Sequence, residues 1–431
     1  MYTHTDLAKL QAQSLKMQGF IRRQTYSPEM EKTLRRFSSW EVAELILKIN
    51  PSTLRSRLAA DPSLPEGVVE EEGRQRWYAL EEINELRRKL KIKGKSLLPN
   101  RPAGKRAIRA AIANFKGGAG KSTVALHFAH AAALEGYRVL TVDFDPQATL
   151  SHSMGLSDVS EEVTVWGIMA RDLIRETERM NATAGGAESG TALPQRKLPP
   201  SVTGMGLDEL RVMDFIKPTS WPTIDIIPSC ANAAFVEFAS AQYRHLNPEW
   251  SFFAAVSRYL DQLHADAYDL IIFDCPPAIG YQSMNAVFAA DVLYVPSGPG
   301  YWEYDSTTSF IGQLAEALED LGRFRGRLPS GTDPDKVFAD LRFLLTRFEP
   351  NNELHRAMQS AFNQVFKSHV TEHPIEMTRA VEQSGRFLSS IYEMDYRQMT
   401  RETWRRARMS FDRAYDEFQT TLVNAWEKIE D

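Results

Sequence analysis

The sequence predicts an α/β fold, a mostly parallel sheet flanked by helices, with a smaller helical module in front of it. Three segments carry that prediction. Residues 108–114 read as a buried apolar strand, Lys116-Gly117-Gly118-Ala119-Gly120-Lys121-Ser122-Thr123 as a glycine-rich turn, and the alanine-rich run 123–133 as a helix. Residues 137–147 hold a second short apolar strand that ends in two acids, Asp143 and Asp145. A third apolar strand, 268–274, ends in Asp274, followed by Cys275-Pro276-Pro277.

The turn has the composition of a phosphate cradle. Gly117, Gly118 and Gly120 let the backbone turn its N–H groups inward and approach an anion closely. Lys121 supplies a point charge, Ser122 a hydroxyl for Mg²⁺, and the helix that follows presents its N-terminus. The common pattern G-x-x-x-x-G-K-[ST] begins with glycine where this chain has Phe115; here Lys116 adds a second cation at the start of the loop. That lysine is too far round the loop to be explained by the loop's own phosphates alone. Ligands of parallel sheets lie beyond the carboxyl ends of the strands, so Asp143, Asp145 and Asp274 are expected to point at the phosphates. Acids placed there hold Mg²⁺ or orient a water.

The octet, the Asp143-Phe144-Asp145-Pro146-Gln147 segment and the Asp274-Cys275-Pro276-Pro277 segment together resemble the ParA/MinD group of P-loop ATPases, the deviant Walker A family. Asp145-Pro146-Gln147-Ala148-Thr149 is closer to the ParA partition branch. The resemblance implies a P-loop NTPase fold with ATP or ADP and Mg²⁺ as ligands. It implies that residues 116–123 bind ATP, with Lys121 and Ser122 serving the same subunit's phosphates and metal. Lys116 would reach the phosphates of a partner across a sandwich homodimer, Asp145 would position the attacking water, and Asp143 and Asp274 would attend the Mg²⁺. Catalysis would rest on Lys116, Lys121 and Asp145.

Composition narrows the setting. The chain has 431 residues, 43% hydrophobic, and a net charge of -5. Its two cysteines, Cys230 and Cys275, argue against a disulfide scaffold and lie in unrelated segments, which disfavours a metal-transfer or reductase reading. No apolar run approaches membrane-spanning length and no secretory leader is evident, so a cytoplasmic, nucleoid-associated bacterial protein is expected, with no membrane role. Residues 1–110 carry 22 Lys and Arg against 13 Asp and Glu, leaving the remainder acidic. A basic front on an acidic body points to nucleic acid.

Four regions are expected: a helical arm at 1–36 serving dimerisation, a winged helix-turn-helix at 37–92, a linker at 93–105, and an ATPase domain at 106–431 with a mobile insertion near 181–206, where Gly, Ala, Ser, Thr and Pro dominate. In the front module Ser38 and Ser39 cap a helix at 40–47, a turn around Asn50-Pro51 follows, and residues 52–60 form a second helix. Ser52, Thr53, Arg55 and Arg57 on that helix, with Arg74 and Arg76 in a hairpin wing at 73–78, are the candidate DNA contacts. The module resembles the winged helix-turn-helix of larger partition ATPases and of the RepA proteins of repABC replicons. Toward the end of the chain, the resemblance implies that the loop at Thr346 and Arg347, after another strand, lies near the base, and Pro299 follows a further strand on the ligand side, which makes the three candidates for nucleotide contact. Arg379 and Arg386 resemble the basic positions that partition ATPases turn to DNA, and Arg401, Arg405, Arg406 and Arg408 read as a basic run at the head of an amphipathic helix that either favours DNA phosphates or simply solvates the helix start. The expected function is DNA segregation: an ATP-bound dimer on DNA, hydrolysis stimulated by a ParB-like partner, and repression of the protein's own operon. A nucleotide-switched transcription regulator and a MinD-like positioning ATPase are the alternatives.

Overall fold

A computed structural model describes residues 3–25, 32–70, 75–185, 207, 210–323 and 335–429. The chain opens with helix α1 (His4–Thr25), on which Leu7, Leu10 and Met17 are exposed. The front module follows. Strand β1 (Phe37–Ser38) leads into a helical segment, Glu41–Ile46, wound with the wider π spacing, as in the bond from the Leu47 N–H to the Val42 carbonyl at 2.8 Å. Ser38 and Glu41 cap its start reciprocally: the Ser38 hydroxyl accepts from the Glu41 N–H, and the Glu41 carboxylate accepts from the Ser38 N–H and hydroxyl. Helix α2 (Pro51–Ala60) is capped by the Asn50 side chain, which accepts from the Ser52 N–H at 2.9 Å, with Pro51 in the first turn where no N–H is needed. Strands β2 (Val68–Val69) and β3 (Arg76–Tyr78) pair antiparallel, and β1 joins the other edge of β3. The hairpin therefore starts earlier than residue 73. Arg74 lies outside the described residues. Helix α3 (Leu80–Lys89) completes the module.

The expected linker at 93–105 is not a plain tether. Its start is a hairpin of β4 (Lys91–Ile92) and β5 (Lys95–Ser96), turned at Lys93 and Gly94, both with positive φ as a two-residue hairpin loop demands. Its end is fastened by Arg101, which donates to Asp269 at 2.6 Å and to the Ala265 carbonyl at 2.9 Å.

The remainder is built on β6 (Ile108–Ile112), helix α4 (Lys121–Leu134), β7 (Val139–Asp143), β8 (Lys217–Pro218), β9 (Ile224–Ile227), β10 (Leu270–Asp274), β11 (Val292–Ser297) and β12 (Asp340–Leu345). These strands form one sheet in the order β12-β11-β6-β10-β7-β9-β8, parallel except for the β8–β9 pair at one edge. Alternation along each strand divides the core. Ile108, Ala110, Ile112, Leu270 and Ile272 pack toward α4 and the C-terminal helix Arg401–Lys428, while Ala111, Ile271 and Phe273 pack toward the opposite helical layer. The alanines of α4 let it lie close on the sheet.

The region read as an insertion at 181–206 begins inside the helix Val165–Gly185, and residues 186–206 lie outside the described residues. Among the described residues no helix is long and apolar enough to cross a membrane.

The front module shares its core with the sheet domain. Leu47, Leu54, Leu86 and Leu90 belong to the same buried cluster as Leu134, Trp221 and Trp404. Trp40 packs on Trp404 and Tyr396, and Arg87 reaches the Leu134 carbonyl across the boundary. The arginines at the head of the C-terminal helix are mostly engaged here, contrary to a free basic run. Arg401 lies over the Trp40 ring, Arg406 pairs with Glu376, and Arg408 is buried between Glu41 and Asp412.

Candidate nucleotide site

The loop from β6 to α4 lies at the carboxyl edge of the sheet, where the sequence places it. Its base is fixed by Asn114, whose amide donates to the Pro296 carbonyl at 2.7 Å and to the Thr307 hydroxyl at 3.0 Å. Gly118 and Gly120 take positive φ, 79° and 85°, a conformation that strains any residue with a Cβ. The first turn of α4 then presents N–H groups that have no partner within the helix, directed where an anion would sit.

The two lysines of the loop differ sharply. Lys121 is buried and its ammonium donates to the Lys116 carbonyl at 3.3 Å. Burial pulls its pKa below the usual range, while Asp274 and Asp145 pull it back up. Lys116 has 39% of its side chain exposed, and its ammonium stands 3.9 Å from Glu303 at the head of the helix Tyr301–Gly322. Gly298 and Gly300 make room for Glu303: a Cβ at either would come within 2.8 Å or 2.3 Å of that side chain.

The acids are brought together by strand register. β10 lies between β6 and β7, and Asp274 is the direct neighbour of Ile112 on one side and of Asp143 on the other. Two carboxylates thus stand side by side at the ends of adjacent strands. Asp143 is held: one oxygen accepts from the Asp145 N–H at 3.0 Å, the other from the Ser151 N–H at 2.9 Å and hydroxyl at 2.7 Å. Burial still pushes its pKa up to about 7 against those bonds. Asp274 is fully buried, and neither of its oxygens has a hydrogen-bond partner. Burial, followed by the charge of Asp143, drives its pKa well above the usual carboxylate range. Buried carboxylate oxygens without donors are costly unless a cation supplies the missing charge. The Ser122 hydroxyl and the Lys121 ammonium are the groups beside Asp274 that favour its ionised form. The donor set, two carboxylates and a hydroxyl, fits a hard oxygen-seeking ion of the Mg²⁺ kind, held with several waters. Asp145 sits one turn beyond, accepting from the Gln147 N–H at 2.9 Å.

A cavity of about 380 Å³ opens beside the loop, lined by Gly118, Gly120, Thr123, Thr346, Arg347, Met377 and neighbours. Thr346 and Arg347 are there because both fasten the loop. The Thr346 hydroxyl donates to the Ala119 carbonyl at 2.9 Å, and Arg347, at positive φ, donates to the Gly118 carbonyl at 3.4 Å. Pro299 is buried at the end of β11 and is not part of that wall, because the chain there folds around Glu303 instead. Ile375, Val381 and Phe411 supply apolar surface that sequence reasoning did not assign. Ser151 and Asn114 were also missed; a serine eight residues past an acid carries no spacing signal of its own.

The proposed DNA contacts fall elsewhere. Ser52, Arg55 and Arg57 are exposed on α2 and Thr53 is partly covered, while Ser52 also binds the capping Asn50. Arg76 is tied to Glu66 through its side chain and carbonyl. Arg379 and Arg386 are exposed at the two ends of the helix Arg379–Arg386, whose N-terminal neighbours Glu376, Met377 and Thr378 line the cavity.

Comparison with known proteins agrees with this geometry. Residues 107–321 match the family profile described as an AAA domain. The chain is 27% identical over 438 residues to a putative replication protein A of Rhizobium rhizogenes, spanning 99% of this chain and 95% of that one. It is 26% identical over 245 residues to the chromosome partitioning protein ParA of Caulobacter vibrioides, covering 57% of this chain and 71% of the relative. A solved structure described as a partition protein superposes with a TM-score of 0.59 at 17% identity, over 96% of this chain and 99% of the other, and so shares the fold from end to end. With its octet, its paired acids and these likenesses, the chain belongs to the ParA family of partition ATPases.

Proposed function

We propose that this protein is a Mg²⁺-dependent ATPase that segregates DNA, working as a homodimer closed by nucleotide. The carrying observation is the contrast between the lysines of one loop: Lys121 is turned inward to its own site, whereas Lys116 stands at the surface, 3.9 Å from Glu303. An exposed cation on a phosphate loop is suited to the triphosphate of a second subunit.

Within one subunit the roles follow from position. Loop N–H groups and Lys121 bind the phosphates; Thr346, Arg347 and the apolar cavity wall seat the base. Ser122, Asp143 and Asp274 would hold Mg²⁺, which supplies charge neutralisation at the phosphates. Asp145, beyond the metal-side acids, orients the attacking water. Ionised Asp143 and Asp274 are incompatible side by side until a cation joins them, so assembly of the site and ionisation of the pair occur together.

The front module supplies the second half of the proposal. Arg55 and Arg57 of α2, with Ser52, Thr53, Arg76 and Arg74, would read an operator from which the protein represses its own operon. Arg379 and Arg386 would give the ATP-bound dimer a sequence-independent grip on DNA that weakens steeply with salt. A ParB-like centromere-binding partner would stimulate hydrolysis and release. The replication and partitioning relatives support this reading. A nucleotide-switched transcription regulator is the second reading, favoured by the shared core of module and ATPase.

ATP turnover and sedimentation of the full chain, with and without DNA, test the proposal. Lys116→Gln should retain nucleotide binding and lose ATP-driven pairing and turnover. Wild-type turnover in that variant, or turnover by a lone monomer, would overturn it.

A further inference from the structure

A lysine outside every nucleotide motif is built into the support of the metal-side acids. Lys32 stands just ahead of the front module, five residues before β1. Its ammonium has three N–H donors and three acceptors: the Ser153 carbonyl, the Leu388 carbonyl at 3.0 Å and the Glu393 carboxylate at 2.9 Å. Ser153 ends the short helix Thr149–Ser153, and that helix carries Ser151, whose N–H and hydroxyl both bind Asp143. The Ser151 hydroxyl in turn accepts from the Ser229 N–H at 2.9 Å. Just past the helix, Gly155 runs tightly over Lys32: at φ 95°, a Cβ there would stand 3.3 Å from the lysine Cβ.

The far side of the contact is equally fixed. Glu393 also accepts from the Ser390 N–H at 2.8 Å and the Trp221 indole at 3.1 Å, and the Ser390 hydroxyl bonds His130 on α4 at 2.7 Å. Three residues beyond Lys32, Arg35 enters the front module's own ion pair with Glu41. One side chain at the root of the front module therefore touches both the segment behind Asp143 and the C-terminal segment.

We infer that Lys32 is a positioning residue for Asp143, acting through the Thr149–Ser153 helix, and that it couples the front module to the hydrolysis centre. This deepens the ATPase reading and rests on it. A movement of the front module that withdraws Lys32 releases the helix that orients Ser151. By linkage, whatever steadies Asp143 steadies the root of the front module.

The test uses the full chain. Amide exchange of residues 149–155 is measured without nucleotide, and kcat and KM for ATP are measured separately. Lys32→Met should speed exchange of that segment and lower kcat by about tenfold, the loss typical of a second layer behind a metal ligand, with KM little changed. Lys32→Arg, which keeps the charge and donors, should restore both. Lys32→Met combined with Ser151→Ala should be no slower than Ser151→Ala alone, since both act through one contact. Lys32→Gln replaces the methionine variant if that one does not fold. Unchanged exchange at 149–155, or full additivity with Ser151→Ala, would overturn the inference. A wild-type chain that does not hydrolyse ATP would sink the functional reading instead, and the exchange arm would still decide whether Lys32 braces the helix.

Discussion

Two of the clusters of buried charge on this molecule are built on opposite terms. At the seam between front module and sheet domain three cations meet carboxylates, Arg35 with Glu41, Arg408 with Glu41 and Asp412, and Lys32 with Glu393, while buried Arg87 donates to the Leu97 and Leu134 carbonyls instead. Burial raises the Glu41 pKa, but Arg35 and Arg408 outweigh it and hold the carboxyl below its usual range. At the sheet edge the same degree of burial is left uncompensated. Asp274 has no well-formed hydrogen bond, with the Ser122 hydroxyl and the Lys121 ammonium only beside it, and Asp143 is pushed up to about 7 despite three donors. Paired burial fixes an interface; unpaired burial stores a demand that a ligand must meet.

Removing charge from the two clusters should therefore have opposite results. The largest effect is expected at the nucleotide loop. Lys121→Ala should cut ATP turnover by on the order of a hundredfold or more, since a buried cation aimed at developing charge is lost, as a phosphate-release assay would show. At the seam, Arg408→Met should destabilise the fold by about 3 kcal/mol, because Glu41 and Asp412 lose a partner they cannot replace with water. Denaturant titration measures that cost, and turnover per folded molecule should be little changed. At the sheet edge, Asp274→Asn should instead stabilise the nucleotide-free protein by about 1 kcal/mol while abolishing its Mg²⁺ response. A destabilised Asp274→Asn would mean that the carboxylate is satisfied in the free protein and would erase the contrast.

The pH dependence sharpens the same point. Asp143 binds its proton more tightly folded than unfolded, so between about pH 4 and 7 the folded state holds the extra proton. The stability of the nucleotide-free protein from this group is present below that window and is lost as pH rises through 7. Asp143→Asn should flatten that part of a stability–pH curve. The smallest effect on turnover is expected from Arg55→Ala with Arg57→Ala, which should remove operator footprinting and leave basal hydrolysis and salt-sensitive DNA binding intact. Loss of both binding modes together would mean that one surface serves both.

What was legible in the sequence was whatever sits next to its own signal. The octet follows its strand and precedes its helix; Asp143 and Asp274 end apolar runs; Asn50-Pro51 marks the start of α2. What was hidden depends on register and distance. That Asp143 and Asp274 are direct neighbours follows from β10 entering between β6 and β7, and no local spacing encodes that insertion. Phe411 reaches the cavity beside Gly118 from the C-terminal helix, and Lys32 reaches Leu388 and Glu393 from the front of the chain. Arg408 looked like part of a solvated basic run because its arginine neighbours face outward; its own position turns toward Tyr392 and Trp404. The hairpin at 91–96 was passed over because Pro99 and Pro102 dominate the composition of that stretch.

The apolar cluster that runs unbroken from Leu54 to Trp404 restricts how the protein can be dissected or recombined. A front module transplanted from another protein would arrive without the matching surface for Trp404 and Leu134, and the recipient would be left with a greasy scar. Calorimetry should accordingly show one melting peak for both halves, and a fragment lacking the first hundred residues should precipitate.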